Sequence, residues 1–307
     1  MGLYSYKGSG KVYARPFAGG KLRYLGNNKE LKISVSEEVH ELKNYDDPQG
    51  GTADIVRRID KVEISVTLSE FSPENLALSL HGTASQTTAD SITDEVHTAY
   101  TDGLIRLAHI DPTSVTVTST DGGDASAWTA TTSYSVDTYV TPVGGGGRYY
   151  KCTAAGDSDG TEPVWPTDGS TIVDGTAAWQ DMGLITRAED SDYQVTGAGL
   201  LILPGGLIED GRDIKVGYDY TAEDVVNALT ESNTELTLVF DGVNTAHDDR
   251  TRVVDIYRVR FGPVNEMQYK SDSFGEFSLT GTLLADSTKT GAGISKYFKE
   301  TTPVVSS

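Results

Sequence analysis

The sequence predicts a mainly β protein, and three observations carry that expectation. Two long stretches alternate apolar and polar residues with a period of two. In the first, Leu31, Ile33 and Val35 interleave with Lys32, Ser34 and Ser36; in the second, Val62, Ile64, Val66 and Leu68 interleave with Glu63, Ser65, Thr67 and Ser69. A period of two places one set on a buried face and the other on a polar face. Glycine is abundant, 33 of 307 residues, and lies among Thr, Ser, Val and Tyr, a mixture of turn formers and strand formers. Only one short segment carries a full set of helix signals.

That segment is Ser72-Pro73-Glu74-Asn75-Leu76-Ala77-Leu78-Ser79-Leu80-His81-Gly82. Ser72 suits the N-cap, Pro73 the first helical position, Glu74 the positive end of the dipole and Gly82 the stop. Leu76 and Leu80, with Ala77, are the face expected to pack on a sheet.

The other elements follow in chain order. Residues 1–27, rich in Gly and Lys, read as an N-terminal arm with one short strand. Between the two long strands runs a connection from Asn44 to Val56, holding Asn44, Tyr45, Asp46, Asp47, Pro48, Gln49, Gly50 and Gly51. A connection of that length exceeds what a hairpin needs and points to a functional loop. Residues 83–95 are polar and read as an extended loop, followed by short strands near 104–108 and 114–118. Further strand patterns cover 193–196, 200–203, 214–220, 236–240, 253–261 and 277–283, and a C-terminal arm follows Asp286.

Composition shifts between about 125 and 185. This stretch holds all three tryptophans, the single cysteine and the run Gly144 to Gly147. It reads as a small all-β domain inserted into a host formed by residues 1–124 and 186–307, because insertions at surface loop tips leave a host core intact.

The net charge of −20, from 45 acids against 25 bases, excludes a protein that wraps DNA by neutralising phosphates. Cys152 alone forms no internal disulfide, so a reducing compartment is acceptable. The N-terminus has no apolar signal core, and no stretch approaches the ~20 apolar residues of a membrane span. Chemistry is equally sparse. His40, His81, His97, His109 and His247 show no metal-ligand spacing. The acidic turn Asp157 to Glu162 lacks the full ligand pattern of a calcium loop. The four-glycine run has no following Gly-Lys-Ser/Thr. The expectation is a non-enzyme with no catalytic residues, metal or cofactor.

Lys32 through Gly82, with its strand, loop, strand and helix, resembles the major tail tube proteins of long-tailed, non-contractile phages. Leu236 to Asn244, Asp255 to Val259 and Phe274 to Gly281 resemble the same family, so the likeness covers most of 1–124 and 186–307. It implies a sandwich-like or barrel-like β fold with one helix. Six copies would form a ring, and stacked rings would make the channel that conducts the genome. It further implies a place in the virion tail, assembled in the host cytoplasm, with partners being further copies of itself, the tape measure, tail terminator and distal tail proteins. Phage DNA would pass through the lumen without specific binding. In this frame residues 44–51 stack ring on ring, and Glu63, Ser65, Thr67 and Ser69 line the lumen.

The inserted stretch resembles the small chitin- or carbohydrate-binding-like decorations of phage virion proteins. The likeness rests on Trp128, Tyr134, Tyr139, Tyr150, Trp165 and Trp179, together with Glu162-Pro163-Val164-Trp165-Pro166. Those aromatics either stack on host glycans or form the core of a ~60-residue domain, which needs large side chains to bury enough surface. Two further readings stay open: a free carbohydrate-binding or adhesion protein, and another tube-like tail part such as a tail terminator or the inner tube of a contractile tail.

Overall fold

The computed structural model of the chain describes residues 5–46, 48–232 and 234–304. Strands hold 51% of the chain and helices 4%, so the fold is mainly β. Two compact units divide it: residues 1–85 with 224–307, and residues 86–223. Sequence alone places the boundaries at 124/125 and 185/186; the compact units meet further out, at 85/86 and 223/224.

The first unit contains β1 (Gly8–Pro16), β2 (Arg23–Tyr24), β3 (Asn28–Lys43), β4 (Thr52–Leu68), α1 (Pro73–Ser79) and β5 (Thr83–Gln86). After the second unit the chain returns through β6 (Asp224–Asn227), β7 (Glu235–Asn244), β8 (Arg250–Phe261), β9 (Phe277–Leu283) and β10 (Phe298–Thr301). Exit and return strands pair with each other, β5 with β6. The main sheet runs β2-β1-β7-β8-β9-β4-β3, with β10 also pairing to β8. One face is the core: Val12, Leu25, Ile64, Val66, Leu68, Leu238, Ile256, Val259, Phe261 and Leu279 are all at most 2% exposed.

Two stretches expected to be arms, the first with one short strand, are paired into this sheet. β1 pairs with β7 along its whole length, Gly8↔Asn244 to Pro16↔Leu236. β10 pairs with β8 from Val253↔Thr301 to Ile256↔Phe298. Glycines hide β1 from a periodicity search, yet packing requires one of them. A Cβ on Gly10 would stand 2.4 Å from the Asp241 carbonyl oxygen and 2.5 Å from the Gly242 Cα. Residues 83–95 also differ from the expected loop, since β5 and the strand Asp90–Ala99 occupy most of them.

Helix α1 starts as its signals predict, with Ser72 Oγ accepting from the Asn75 N–H and Pro73 opening the first turn. Its packing differs from expectation. Leu78 is the residue that meets the core, while Asn75 and Ser79 are the fully buried ones. Asn75 Nδ2 donates to the carbonyls of Leu25 (2.7 Å) and Glu70 (3.2 Å), and its Oδ1 accepts from Arg23 Nη1 (2.8 Å). Those bonds offset the cost of burying the amide.

In the second unit two sheets face each other. One runs Thr186–Arg187, Thr113–Ser119, Arg212–Tyr220, Asp90–Ala99; the other runs Tyr193–Thr196, Gly199–Ile202, Leu104–Arg106. Between them lies a core that includes Leu107, Val117, Leu200, Ile202, Ile214, Val216 and Tyr218. Residues 125–185 leave and re-enter this unit beside a second, four-residue helix, α2 (Thr120–Gly123), capped by Ser119. They hold their own five-stranded sheet, in the order Thr171–Asp174, Ala177–Leu184, Arg148–Ala154, Tyr139–Thr141, Ser126–Ala127. Its core is separate, built on Trp128, Val140, Tyr150, Cys152, Ala177 and Trp179.

Candidate functional site

The first unit offers an unfinished sheet. β3 ends the strand order, so its outer side carries the backbone groups of 16 residues with no neighbouring strand among those described. At about 3.3 Å per residue that edge is about 50 Å long. At the opposite border β2 pairs only with Tyr13 and Ala14 of the nine-residue β1. Long free edges invite pairing with another chain.

The outer half of β3 and β4 extends the hazard. Beyond the Val35↔Val62 pair the two strands form a ribbon, and every residue from Thr52 to Lys61 is exposed. A bulge re-phases it: Ser36 pairs with Lys61 and Glu37 with Ile59, leaving Asp60 unpaired in the ladder, its carboxylate accepting from Ser36 Oγ at 3.2 Å. Residues opposite one another share a face. Glu37↔Ile59, Val39↔Arg57 and Glu41↔Ile55 therefore continue the side that is buried lower down, where Val62 and Ile64 lie. Val35, Val39, Ile55 and Ile59 are 42–57% exposed on that side, and Leu42 and Val56 are exposed on the other. A free two-stranded ribbon is marginal in water, and one that displays β-branched side chains lacks a cover. Of these residues the alternating pattern read from the sequence names only Val35. The signal was present, since Val39 continues the apolar side begun at Val35, and Ile55 and Ile59 lie on the same side of β4, Ile55 within the 44–56 stretch read as a connection.

The turn residues sit at the ribbon's tip. With β3 reaching Lys43 and β4 beginning at Thr52, the connection spans 44–51, shorter than the expected 44–56. The Asn44 N–H donates to the Gly51 carbonyl (2.9 Å), and Asn44 Oδ1 accepts from the Asp46 N–H (3.0 Å). Gly50 and Gly51 have φ of 69° and 114°, conformations that side chains resist. Tyr45 is 85% exposed, and Pro48 and Gln49 complete the turn; Asp47 lies outside the described residues.

The face expected to line a lumen is the polar side of the same sheet. Glu63, Ser65 and Thr67 alternate there with buried neighbours, and Ser69 follows the strand, its N–H donating to the Asn27 carbonyl at 2.9 Å. The face is not a simple row of acids and hydroxyls. Lys61 Nζ pairs with Glu63 at 2.8 Å, Lys32 with Glu30 at 2.9 Å and Arg260 with Glu235 at 2.8 Å. Thr67 and Ser278 share a hydroxyl hydrogen bond of 2.9 Å. Acids and bases therefore interleave, and Glu63 does not act as an isolated negative charge.

Of the six aromatics proposed to stack on glycans, Trp128, Tyr150 and Trp179 are buried, at 6%, 1% and 0% exposure. A buried ring has no face to offer a sugar, so these three serve packing. Trp128 and Trp179 both donate to Asp174 Oδ2, at 2.8 and 3.0 Å. Tyr134, Tyr139 and Trp165 are half-buried. Trp165 leans on Tyr150 with ring centroids 4.3 Å apart, its indole N–H donating to Glu162 at 2.8 Å. Cys152 is fully buried, and burial pushes its thiol pKa up, away from nucleophilic use.

The second unit holds a polar cluster of its own. Glu95 receives the Tyr218 hydroxyl, the Ala108 N–H (3.0 Å) and His97 Nε2 (2.7 Å). Nearby, Glu223 meets His109 Nδ1 (3.0 Å) and the Ile110 N–H (2.6 Å), while the His109 ring stacks on Tyr220 at 3.5 Å. Burial opposes ionisation of both glutamates, but these hydrogen bonds outweigh it and hold both carboxyls below their ordinary pKa. Together they pin the 107–111 loop. Among the described residues no group of three or more His, Cys, Asp and Glu is arranged to hold a metal ion.

A family described as "Protein of unknown function UCP028589" matches residues 5–141 and 176–301. The stretch it leaves out, 142–175, falls inside residues 125–185. No curated protein matches the chain.

Proposed function

The chain belongs to that family of unknown function, and from that premise we propose that it is a structural subunit of a hollow polymer: the major tail tube protein of a long-tailed, non-contractile phage. The observation that carries this reading is the 16-residue free edge of β3, running into a ribbon that exposes Val35, Val39, Ile55 and Ile59. An open edge at one end of a sheet and a barely covered β1 at the other are complementary borders. Joining the two between copies removes the edge only when the ring closes, and cyclic symmetry supplies closure. Six copies make the ring in this reading. The ribbon with its 44–51 tip then reaches the next ring, a head-to-tail contact that repeats without end and yields a tube.

In that tube the polar face carrying Glu63, Ser65 and Thr67 lines the channel. Its ion pairs leave little net positive charge to grip phosphate, and an overall charge of −20 opposes adhesion. Repulsion reaches about a Debye length, ~8 Å at physiological salt. DNA then passes without specific binding. The 125–185 sheet decorates the subunit, with Trp165, Tyr134 and Tyr139 the only members of the aromatic set left with surface for a glycan.

Negative-stain microscopy of the full purified chain tests the proposal. Rings or stacked tubes of uniform bore are expected. Isolated particles of monomer size at every concentration would overturn it. A single ring that never stacks would favour a tail terminator.

A further inference from the structure

Among the described residues two buried side-chain polar atoms have no hydrogen-bond partner, Thr120 Oγ1 and Arg187 Nε. Both lie where residues 125–185 join the second unit. Arg187 is 6% exposed. Its guanidinium donates to the Leu184 carbonyl (2.8 Å) and the Tyr149 hydroxyl (3.3 Å), two uncharged acceptors. A guanidinium stays charged at any ordinary pH, and a buried charge whose hydrogen bonds run only to neutral groups is costly.

Beside it is a cavity of about 20 Å³. Its buried lining includes Arg187, Ser119 and Tyr149. Tyr149 Oη already accepts from both Ser119 Oγ (3.1 Å) and Arg187 Nη2, so its own proton is left to donate. The buried residues of the lining thus hold two unspent donors, one of them cationic. The carboxylates on the lining, Asp121, Glu209 and Asp213, belong to less buried residues and are engaged with other groups. Arg212 holds Asp121 (3.5 Å) and Glu209 (3.6 Å), and Thr98 Oγ1 donates to Asp213 (2.7 Å).

We propose that this cavity is a site for a monatomic anion, chloride under physiological conditions, bound between Arg187 and Tyr149. Volume selects the class: a guest needs roughly 10–15 Å³ to be water-sized, and about 20 Å³ admits one such guest but not a phosphate or a carboxylic acid. Water would take the hydrogen bonds and leave the charge unbalanced. A halide accepts both donors and supplies the counter-charge. It would also act as a pin, because Ser119 precedes the 125–185 segment, Tyr149 lies within it and Arg187 follows it.

Crystals of the full chain grown with bromide in place of chloride should show an anomalous peak within hydrogen-bond reach of Arg187 Nε. In solution, thermal unfolding in chloride compared with gluconate at fixed ionic strength should give a midpoint rising about 3–5 °C per tenfold chloride above the Kd. Arg187→Met should abolish that dependence. Water alone at the site in bromide crystals, or a chloride response identical in wild type and Arg187→Met, would overturn the assignment. The bromide experiment uses only the wild-type chain, so it stands even if the variant fails to fold.

Discussion

Trp128 donates its indole N–H to the buried carboxylate of Asp174 at 2.8 Å, and that carboxylate is the polar centre of residues 125–185. Trp179 donates to the same oxygen, and the Asp159 N–H to the other at 2.9 Å. Asp174→Ala would strand two indoles and one amide in an apolar core, a loss of about 3–5 kcal/mol. All three tryptophans of the chain lie in this segment, so their fluorescence reports on it alone. The expected result is red-shifted emission at lower denaturant than in wild type. Asp174→Asn, which keeps the shape and one acceptor, should lose less.

Asn75 offers a second test, on the first unit. Its fully buried amide joins α1 to the buried Leu25 carbonyl and to the half-buried Arg23. Asn75→Ala is expected to cost about 2–3 kcal/mol, because the Leu25 carbonyl is left unpaired as well as the side chain lost. Asn75→Leu, which restores volume but not hydrogen bonds, should rescue little. Denaturant midpoints at unchanged slope would measure both.

These two residues mark where sequence is legible and where it stops. The β3 and β4 alternation and the Ser72-Pro73-Glu74 start of α1 are local, and each is read correctly from neighbours in the chain. Asn75 is buried because of Leu25, fifty positions away, and no local pattern marks it. β1, read as one short strand in an arm, is only partly legible for a similar reason: Gly8 and Gly10 look like linker, and only in the fold do Asp241 and Gly242 come close enough to exclude a side chain at Gly10. The aromatics of 125–185 present the opposite case. Their composition fits both a sugar platform and a small core, and only burial separates the two for Trp128, Tyr150 and Trp179.

The Glu95 cluster predicts how stability varies with pH. Burial works against the Glu95 carboxylate, yet hydrogen bonds from Tyr218, His97 and Ala108 hold its pKa below the ordinary glutamate value, and Glu223 is held down by His109 and Ile110. A depressed folded pKa gives stability that is present above the unfolded value, about 4.3, and is lost as pH falls through the folded one. Tyr218 acts at the other end. Burial, and then the bond to Glu95, push its phenol up to about 12. A raised folded pKa gives stability that is complete below the unfolded value, about 10, and is lost as pH rises through about 12. The second unit should therefore weaken at both extremes. Tyr218→Phe should flatten the alkaline limb, followed by phenolate absorbance, and Glu95→Gln should flatten the acid limb, followed by circular dichroism.

The last prediction separates assembly from folding. Val39 and Ile59 are 43% and 57% exposed on adjacent positions of the ribbon, and neither packs into the core of the first unit. Replacing exposed residues of this kind shifts stability by only about 0.5 kcal/mol, so Val39→Lys with Ile59→Glu should leave the melting temperature of the isolated subunit nearly unchanged. If the ribbon is covered by a neighbouring copy, the same pair buries two charged groups at an apolar contact. Stacking should then fail while the folded subunit, or the single ring, persists. Sedimentation velocity and negative-stain images of the double variant beside wild type would measure this. Glu63→Lys is the matched control: it opposes Lys61 on the polar face, leaves the ribbon untouched, and should allow tubes to form while slowing the passage of DNA through them.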